Sequence, residues 1–165
     1  DASTGTLGQG LSSGIGMALA FRLDGKSSRV YVLLGDGELD EGQIWEAAMS
    51  AAHYRIDNLT AIVDYNRQQL SGCTDVVMGL GALTEKWRAF GWNVIETDGH
   101  QMKQILDSLD EAEKAKGKPT VIIARTIKGK GVSILEKSFT AGECKYHGTP
   151  LTEPDLVKSL EELHE

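Results

Sequence analysis

Short β-rich apolar runs alternate with helix-forming stretches along most of this chain, and no proline interrupts the first 118 residues. That alternation is the pattern of an α/β domain, in which parallel strands are joined by crossover helices. Residues 11–21 are small and apolar almost all round, which predicts a helix packed against protein on most sides. Residues 29–34 (RVYVLL) predict a buried strand ended by Gly35-Asp36-Gly37, residues 43–54 a helix, and residues 59–63 (LTAIV) a second strand ended by Asp64-Tyr65-Asn66. Together they form one βαβ unit. A short helix at 85–90, a strand at 93–97, an amphipathic helix at 102–116 and a strand at 120–125 continue the series. Residues 126–149, rich in glycine and lysine, predict a long irregular functional loop. Thr152-x-x-Asp155 with Pro154 predicts the capped start of a last helix, whose apolar stripe is Leu156, Val157, Leu160 and Leu163. The expected architecture is a single α/β domain over 1–165, with a mostly parallel sheet and helices on both faces.

Composition excludes several classes of function. Seventeen Lys and Arg against twenty-four Asp and Glu leave a net charge of −7, the wrong sign for a protein that grips a phosphate backbone, so nucleic acid is not an expected partner. No apolar run reaches the ~18 residues of a membrane helix, and the start has neither segment of a signal peptide, so the expected location is the cytosol. Cys73 and Cys144 are far apart and lack the CxxC spacing of a zinc site; they read as free thiols. The chain opens at Asp1 inside a glycine-rich run, and a further segment upstream is expected.

In a parallel sheet the ligand site lies outside the carboxyl ends of the strands. Asp36 and Asn66 both stand there, thirty residues apart, which is about one strand–helix–strand repeat. Two oxygen ligands so placed make a partial cage for a hard cation such as Mg2+ (or Ca2+), which takes its remaining ligands from phosphates. Gly35 and Gly37 allow a sharp turn and leave backbone N–H groups open to a phosphate oxygen. A Gly-Asp-Gly turn is common by itself; followed by Glu41-Gly42 and then by Asn66 after a second strand, it resembles the motif of thiamine diphosphate enzymes.

Here the chain resembles the transketolase family, specifically the N-terminal subunit of its split form. Three ordered segments carry the resemblance: Thr4-Gly5-Thr6-Leu7-Gly8-Gln9-Gly10, similar to the family's TGPLGQG; residues 35–66, similar to its cofactor motif; and Lys145-Tyr146-His147-Gly148-Thr149-Pro150, similar to its HGxP element. The resemblance implies that Asp36 and Asn66 hold the metal with the main-chain carbonyl of Gln68, and that Gly37, beside Gly35, offers its N–H to the diphosphate. It implies that Leu70 packs near the thiazolium, that Gly5 and Leu7 line the aminopyrimidine side, and that His147 meets diphosphate and substrate. Glu41 is similar to the family's buried interface glutamate, which communicates with the glutamate that activates the pyrimidine. That second glutamate belongs to a C-terminal transketolase subunit carrying the pyrimidine-binding domain, so the resemblance implies a homo- or hetero-oligomer, inactive as a lone chain, that moves two-carbon ketol units between sugar phosphates in carbohydrate metabolism such as the pentose phosphate pathway. Thr6 stands where the family has Pro, and Ile127-Lys128-Gly129-Lys130-Gly131 is closer to the split and deoxyxylulose-phosphate-synthase-like variants. The competing readings are a subunit of another thiamine diphosphate enzyme, of the 2-oxo acid dehydrogenase or deoxyxylulose phosphate synthase type, and a non-catalytic cofactor-binding module.

Other motifs carry less. Gly25-Lys26-Ser27 is similar to the end of a P-loop but precedes a strand, with Ala20 where the first glycine is required. Gly8-x-Gly10-x-x-x-Gly14 opens a helix with no strand before it. His100 reads as a turn-holding residue, His53 and His164 as solvated positions, and Arg125, Lys128 and Lys130 as a solvated charge run.

Overall fold

A computed structural model describes residues 2–163; His164 lies outside them. Its elements in chain order are α1 (Gln9–Leu23), β1 (Val30–Gly35), a 3-10 turn (Gly37–Asp40), α2 (Gly42–His53), β2 (Leu59–Tyr65), β3 (Gln68–Gln69), β4 (Gly72–Cys73), α3 (Thr74–Val77), α4 (Leu83–Ala89), β5 (Asn93–Asp98), α5 (Met102–Lys114), β6 (Thr120–Arg125), α6 (Ser133–Thr140), a 3-10 turn (Lys145–His147) and α7 (Glu153–Glu162).

Four strands form a fully parallel sheet in the order β1-β2-β6-β5, and β3 and β4 form a separate antiparallel hairpin. Position in the sheet explains the strand sequences. The central strand β6 is buried along Thr120–Ala124, and β2 is buried at Leu59, Thr60, Ala61 and Val63, so both need nearly continuous apolar runs. The edge strand β1 alternates: Val30, Val32 and Leu34 face the core, while Tyr31 and Leu33 are exposed.

Helices cover both faces, as the alternation predicts. The larger core joins α1, α2 and α4 to the sheet through Leu11, Ile15, Ala18, Ile44, Ala48 and Trp87. On the other face α5 packs Ala112 and Leu109 against Ile95, Ile122 and Ile62. Close approach of α1 to β1 depends on Gly14, whose absent Cβ would collide with the Val32 side chain. Within this chain α1 buries Leu11, Gly14, Ile15 and Ala18 and leaves Met17 and Leu23 exposed. At α7 the Thr152 hydroxyl accepts the Asp155 amide at 3.4 Å, and the stripe of Leu156, Val157, Leu160 and Leu163 remains exposed. Among the described residues no helix is long and apolar enough to cross a membrane.

Two expectations are corrected. Residues 126–149 are not irregular throughout, because SILEKSFT forms α6 and Lys145–His147 a 3-10 turn. Its flanking glycines, Gly129, Gly131 and Gly142, take the positive φ of the bounding turns, which is where the irregularity resides. Cys73 and Cys144 are not free: they are joined by a disulfide across 71 residues, with Cα atoms 5.6 Å apart. The cause is strand order. β2 and β6 are neighbours with Tyr65 opposite Arg125, so the segments leaving their carboxyl ends emerge side by side and meet at the two cysteines.

Candidate cofactor and metal site

The sheet brings the Gly-Asp-Gly turn and Asn66 together as the strand–helix–strand spacing requires. β1 and β2 are adjacent and parallel, with Gly35 opposite Asp64, so Asp36 and Asn66 follow the carboxyl ends of neighbouring strands. Asp36 is 1% exposed. One of its oxygens accepts the Arg67 amide at 2.5 Å and the other accepts the Gly37 amide at 2.8 Å. Asn66 is buried too; its side-chain carbonyl accepts the Gln68 amide at 2.9 Å and its NH2 donates to Asp64 at 3.0 Å. These bonds fold the chain after β2 back toward the Asp36 turn. Arg67 takes a left-handed φ of 63° to make that return, and its guanidinium pairs with Asp75.

The electrostatics ask for a cation. Burial pushes the Asp36 carboxyl up to about 6, against the lowering effect of the Arg67 and Gly37 amides, and the Asp64 carboxylate adds to the rise. Asp64 itself accepts the Thr126 hydroxyl. A buried carboxylate and a buried amide oxygen behind neighbouring strands are hard-oxygen donors, on which a divalent cation offsets both the burial and the repulsion. The residues present therefore fit such an ion. The Gly37 amide, expected to face a diphosphate, is here engaged with Asp36. Gly37 also gives way to Gln69, whose Cβ lies 2.6 Å from where a Gly37 Cβ would stand.

The Gly5–Leu7 segment lies beside this turn and is tethered by residues that sequence reasoning missed. Glu38 accepts the Gly8 amide at 2.7 Å with one carboxylate oxygen and the Gly35 amide at 3.1 Å with the other. Gln43 donates its side-chain NH2 to the Leu7 carbonyl at 2.9 Å. Both belong to the same motif as Asp36, but their partners lie some thirty residues upstream, and no local spacing reveals such a pairing. Gly5 has no neighbour within 4 Å of an added Cβ, and Leu7 and Leu70 are exposed, so these groups border open space.

The segment carrying His147 meets the hairpin that follows Asn66. A Cβ on Gly148 would lie 2.8 Å from Leu70 Cδ1, and the Cys73–Cys144 disulfide ties the His147 segment to the hairpin carrying Gln68 and Leu70. Partial desolvation, and secondarily the positive charge of Lys128, hold the His147 imidazole below the ordinary histidine range. Glu41 is exposed at the N-cap of α2, where its amide donates to the Glu38 carbonyl at 3.1 Å. His100 holds a turn as expected: its Nε2 accepts the Ile127 amide at 2.7 Å and its own amide donates to Asp98 at 2.9 Å. Arg125 pairs with Glu96 and Lys130 with Glu136. His100, Lys128 and Lys130 also border a cleft of about 580 Å³ on the α5 face, whose apolar walls include Leu33, Ile62 and Ile122.

Known proteins share this sequence pattern and fold. The family described as transketolase, thiamine diphosphate binding domain, matches residues 1–163. The 6-deoxy-6-sulfo-D-fructose transketolase subunit SqwG of a Clostridium species is 46% identical over 163 residues, covering 99% of this chain and 58% of the relative. An apulose-4-phosphate transketolase subunit of Phocaeicola vulgatus is 46% identical over 154 residues, 93% of this chain and 53% of the relative. The transketolase structure of Campylobacter jejuni superposes with a TM-score of 0.85 at 33% identity, covering 98% of this chain and 26% of that one. The chain thus spans a little over half the length of these two subunits and about a quarter of the solved enzyme. By sequence and by fold it belongs to the transketolase family, within its thiamine diphosphate binding domain.

Proposed function

We propose that this chain anchors the diphosphate end of thiamine diphosphate, with Mg2+, as part of the N-terminal subunit of a split transketolase. The observation that carries the reading is the pairing of buried Asp36 and Asn66 behind adjacent parallel strands, with the chain after Asn66 folded back onto the Asp36 carboxylate. Asp36 and Asn66 would hold the metal through side-chain oxygens and Gln68 through its carbonyl. Gly35, with no atom near the position of an added Cβ, leaves room for a diphosphate at the turn, Leu70 and His147 border it from the side of the disulfide, and Gly5 and Leu7 border it from the Glu38 clamp. Thiamine diphosphate supplies, when bound, the electron sink that carries a two-carbon ketol unit from a ketose phosphate to an aldose phosphate.

This chain's own contribution is positional. The side chains around Asp36 are pinned by backbone amides before any ligand arrives, which limits the reorganisation that binding requires. A lowered His147 pKa keeps its imidazole neutral near pH 7, so that it can either donate or accept a hydrogen bond to a substrate hydroxyl. The activating glutamate comes in this reading from a C-terminal partner subunit, which covers exposed Glu41 and the exposed side of α1. Relatives named as subunits support a two-chain enzyme, and their names, one for a sulfofructose and one for an apulose phosphate, support an anionic sugar as the substrate in this reading. The working compartment in this reading is the cytosol.

The test is calorimetric titration of thiamine diphosphate with and without Mg2+, on the chain and on Asp36→Ala, followed by reconstitution with a C-terminal transketolase subunit. Magnesium-dependent binding lost in the variant, and ketol transfer only in the reconstituted pair, are expected. Full transfer by the isolated chain, or binding indifferent to Asp36, would overturn the reading.

A further inference from the structure

Two segments that border the proposed cofactor site meet each other through few contacts. The hairpin 68–73 consists of two residue pairs, Gln68 with Cys73 and Gln69 with Gly72. The His147 segment follows α6 through Cys144, which takes a left-handed φ of 45° and whose amide reaches the Ser138 carbonyl at 3.4 Å. Lys145 adds one bond from its amide to the Ser138 hydroxyl at 3.1 Å. Between hairpin and segment the covalent link is the Cys73–Cys144 disulfide; around it lie a 3.6 Å approach of Cys73 Sγ to the Gly142 carbonyl, the Arg67 guanidinium 5.7 Å from the Phe139 ring centre, and the approach of Leu70 to Gly148.

Neither cysteine belongs to either apolar core. Opening the disulfide therefore unlinks the two segments outside the apolar clusters that hold the sheet and helices together. The two sulfurs also differ in access: Cys144 is 3% exposed, whereas Cys73 is half-buried. An external thiolate can reach Cys73 first. In cytosolic proteins disulfides are usually transient and redox-sensing, in contrast to the structural bridges of secreted domains.

We propose that Cys73–Cys144 is a thiol–disulfide exchange site for low-molecular-weight thiols, and that its state governs whether the hairpin bearing Gln68 and Leu70 stays docked on the segment bearing His147. A thiolate attacks Cys73 Sγ, the Sγ–Sγ bond breaks, and the electron pair leaves on Cys144, which takes a proton. A second thiol attacks the mixed disulfide at the small molecule's sulfur and releases Cys73, so that one protein disulfide and two thiols become two protein thiols and one small disulfide. Oxidation by the small disulfide reverses the sequence. The consequence for cofactor affinity rests on the anchoring role proposed above; the docking of the two segments does not.

The experiment takes the whole chain equilibrated with oxidised or reduced glutathione, counts free thiols by alkylation and mass, and follows amide hydrogen exchange peptide by peptide. Expected are no free thiols in the oxidised protein, two after reduction without denaturant, and faster exchange on reduction in the peptides covering 68–74 and 142–149, with β1, β2 and β6 unchanged. Cys73→Ser/Cys144→Ser should show the reduced pattern in both media. Titration of thiamine diphosphate with Mg2+ should give roughly tenfold weaker binding to the reduced form, within the usual range of coupling between sites. Two free thiols in the oxidised protein, a disulfide that resists thiol until the chain unfolds, or equal exchange in both forms would overturn the proposal. Exchange that rises while affinity stays constant overturns its link to the cofactor. If neither form binds the cofactor, the anchoring role fails and the exchange data alone decide whether the two segments are latched.

Discussion

Glu38 accepts the Gly8 backbone amide at 2.7 Å across thirty residues, and its second carboxylate oxygen takes the Gly35 amide at 3.1 Å. One side chain thus sets the spacing between the loop carrying Gly5 and Leu7 and the turn carrying Asp36. Gly8 is buried, so deleting the carboxylate strands an amide that water cannot readily reach, at a cost of about 1–3 kcal/mol. Glu38→Ala should lower stability by that order in urea denaturation and weaken thiamine diphosphate binding. Glu38→Gln, which keeps one acceptor but turns an NH2 toward the other amide, should fall between. Cofactor binding by Glu38→Ala as tight as that of the wild type would show that the two loops keep their spacing without the carboxylate.

Helix α1 meets the sheet where Gly14 faces Val32. Alanine at a helix interior normally gains about 1 kcal/mol over glycine. Here the added methyl runs into a stiff β-branched side chain that is 8% exposed, and overpacking costs about 1–3 kcal/mol. Gly14→Ala should therefore destabilise the chain, against the helix scale. Val32→Ala alone should destabilise through a cavity, and the double variant should lose less than the two single losses summed, because each change relieves the other. Urea midpoints of the four proteins check this; strict additivity would mean that α1 shifts instead of pressing on Val32.

His147 offers a pH measurement. With its folded pKa lowered by desolvation and then by Lys128, the folded chain binds a proton there less readily than the unfolded chain does. The corresponding stability is present above the ordinary histidine pKa of about 6.5 and is lost as pH falls through the lower folded value. Lys128→Gln should move the His147 titration, followed by imidazole NMR, part of the way back toward 6.5, the remainder being set by desolvation. An unmoved titration would show that the Lys128 charge does not reach the ring.

The order and type of the main elements were legible because each strand announces its place: VYVLLG alternates in burial at an edge, and TVIIA is buried throughout at the centre. Asp36 and Asn66 were legible for the same reason, since two strands joined by one crossover helix put their carboxyl ends side by side. The cysteine pair was not, because its meeting depends on β6 inserting between β2 and β5, an order that no local pattern in TVIIAR specifies. Helix α6 was hidden by the glycines and lysines around it; SILEKSFT itself carries an ordinary helical sequence. The Glu38 clamp was hidden because a carboxylate in a loop gives no sign of which distant amide it accepts.

The aromatic cluster beneath α2 and α4 separates burial from hydrogen bonding. Trp87 is 0% exposed and Trp92 3%, with ring centres 4.8 Å apart in an edge-to-face arrangement. The Trp92 indole N–H donates to the Ala48 carbonyl at 2.9 Å, whereas the equally buried Trp87 N–H has no partner among the described residues. Replacing either by phenylalanine removes comparable apolar volume, but only Trp92→Phe gives up a hydrogen bond, worth about 1 kcal/mol, while Trp87→Phe removes an unsatisfied donor whose burial costs about 1–3 kcal/mol. Trp92→Phe should therefore be the more destabilising of the two, although Trp87 is the more enclosed. Urea denaturation of both variants decides the point, and a larger loss for Trp87→Phe would mean that ring packing against Trp45 at 5.2 Å outweighs the polar difference.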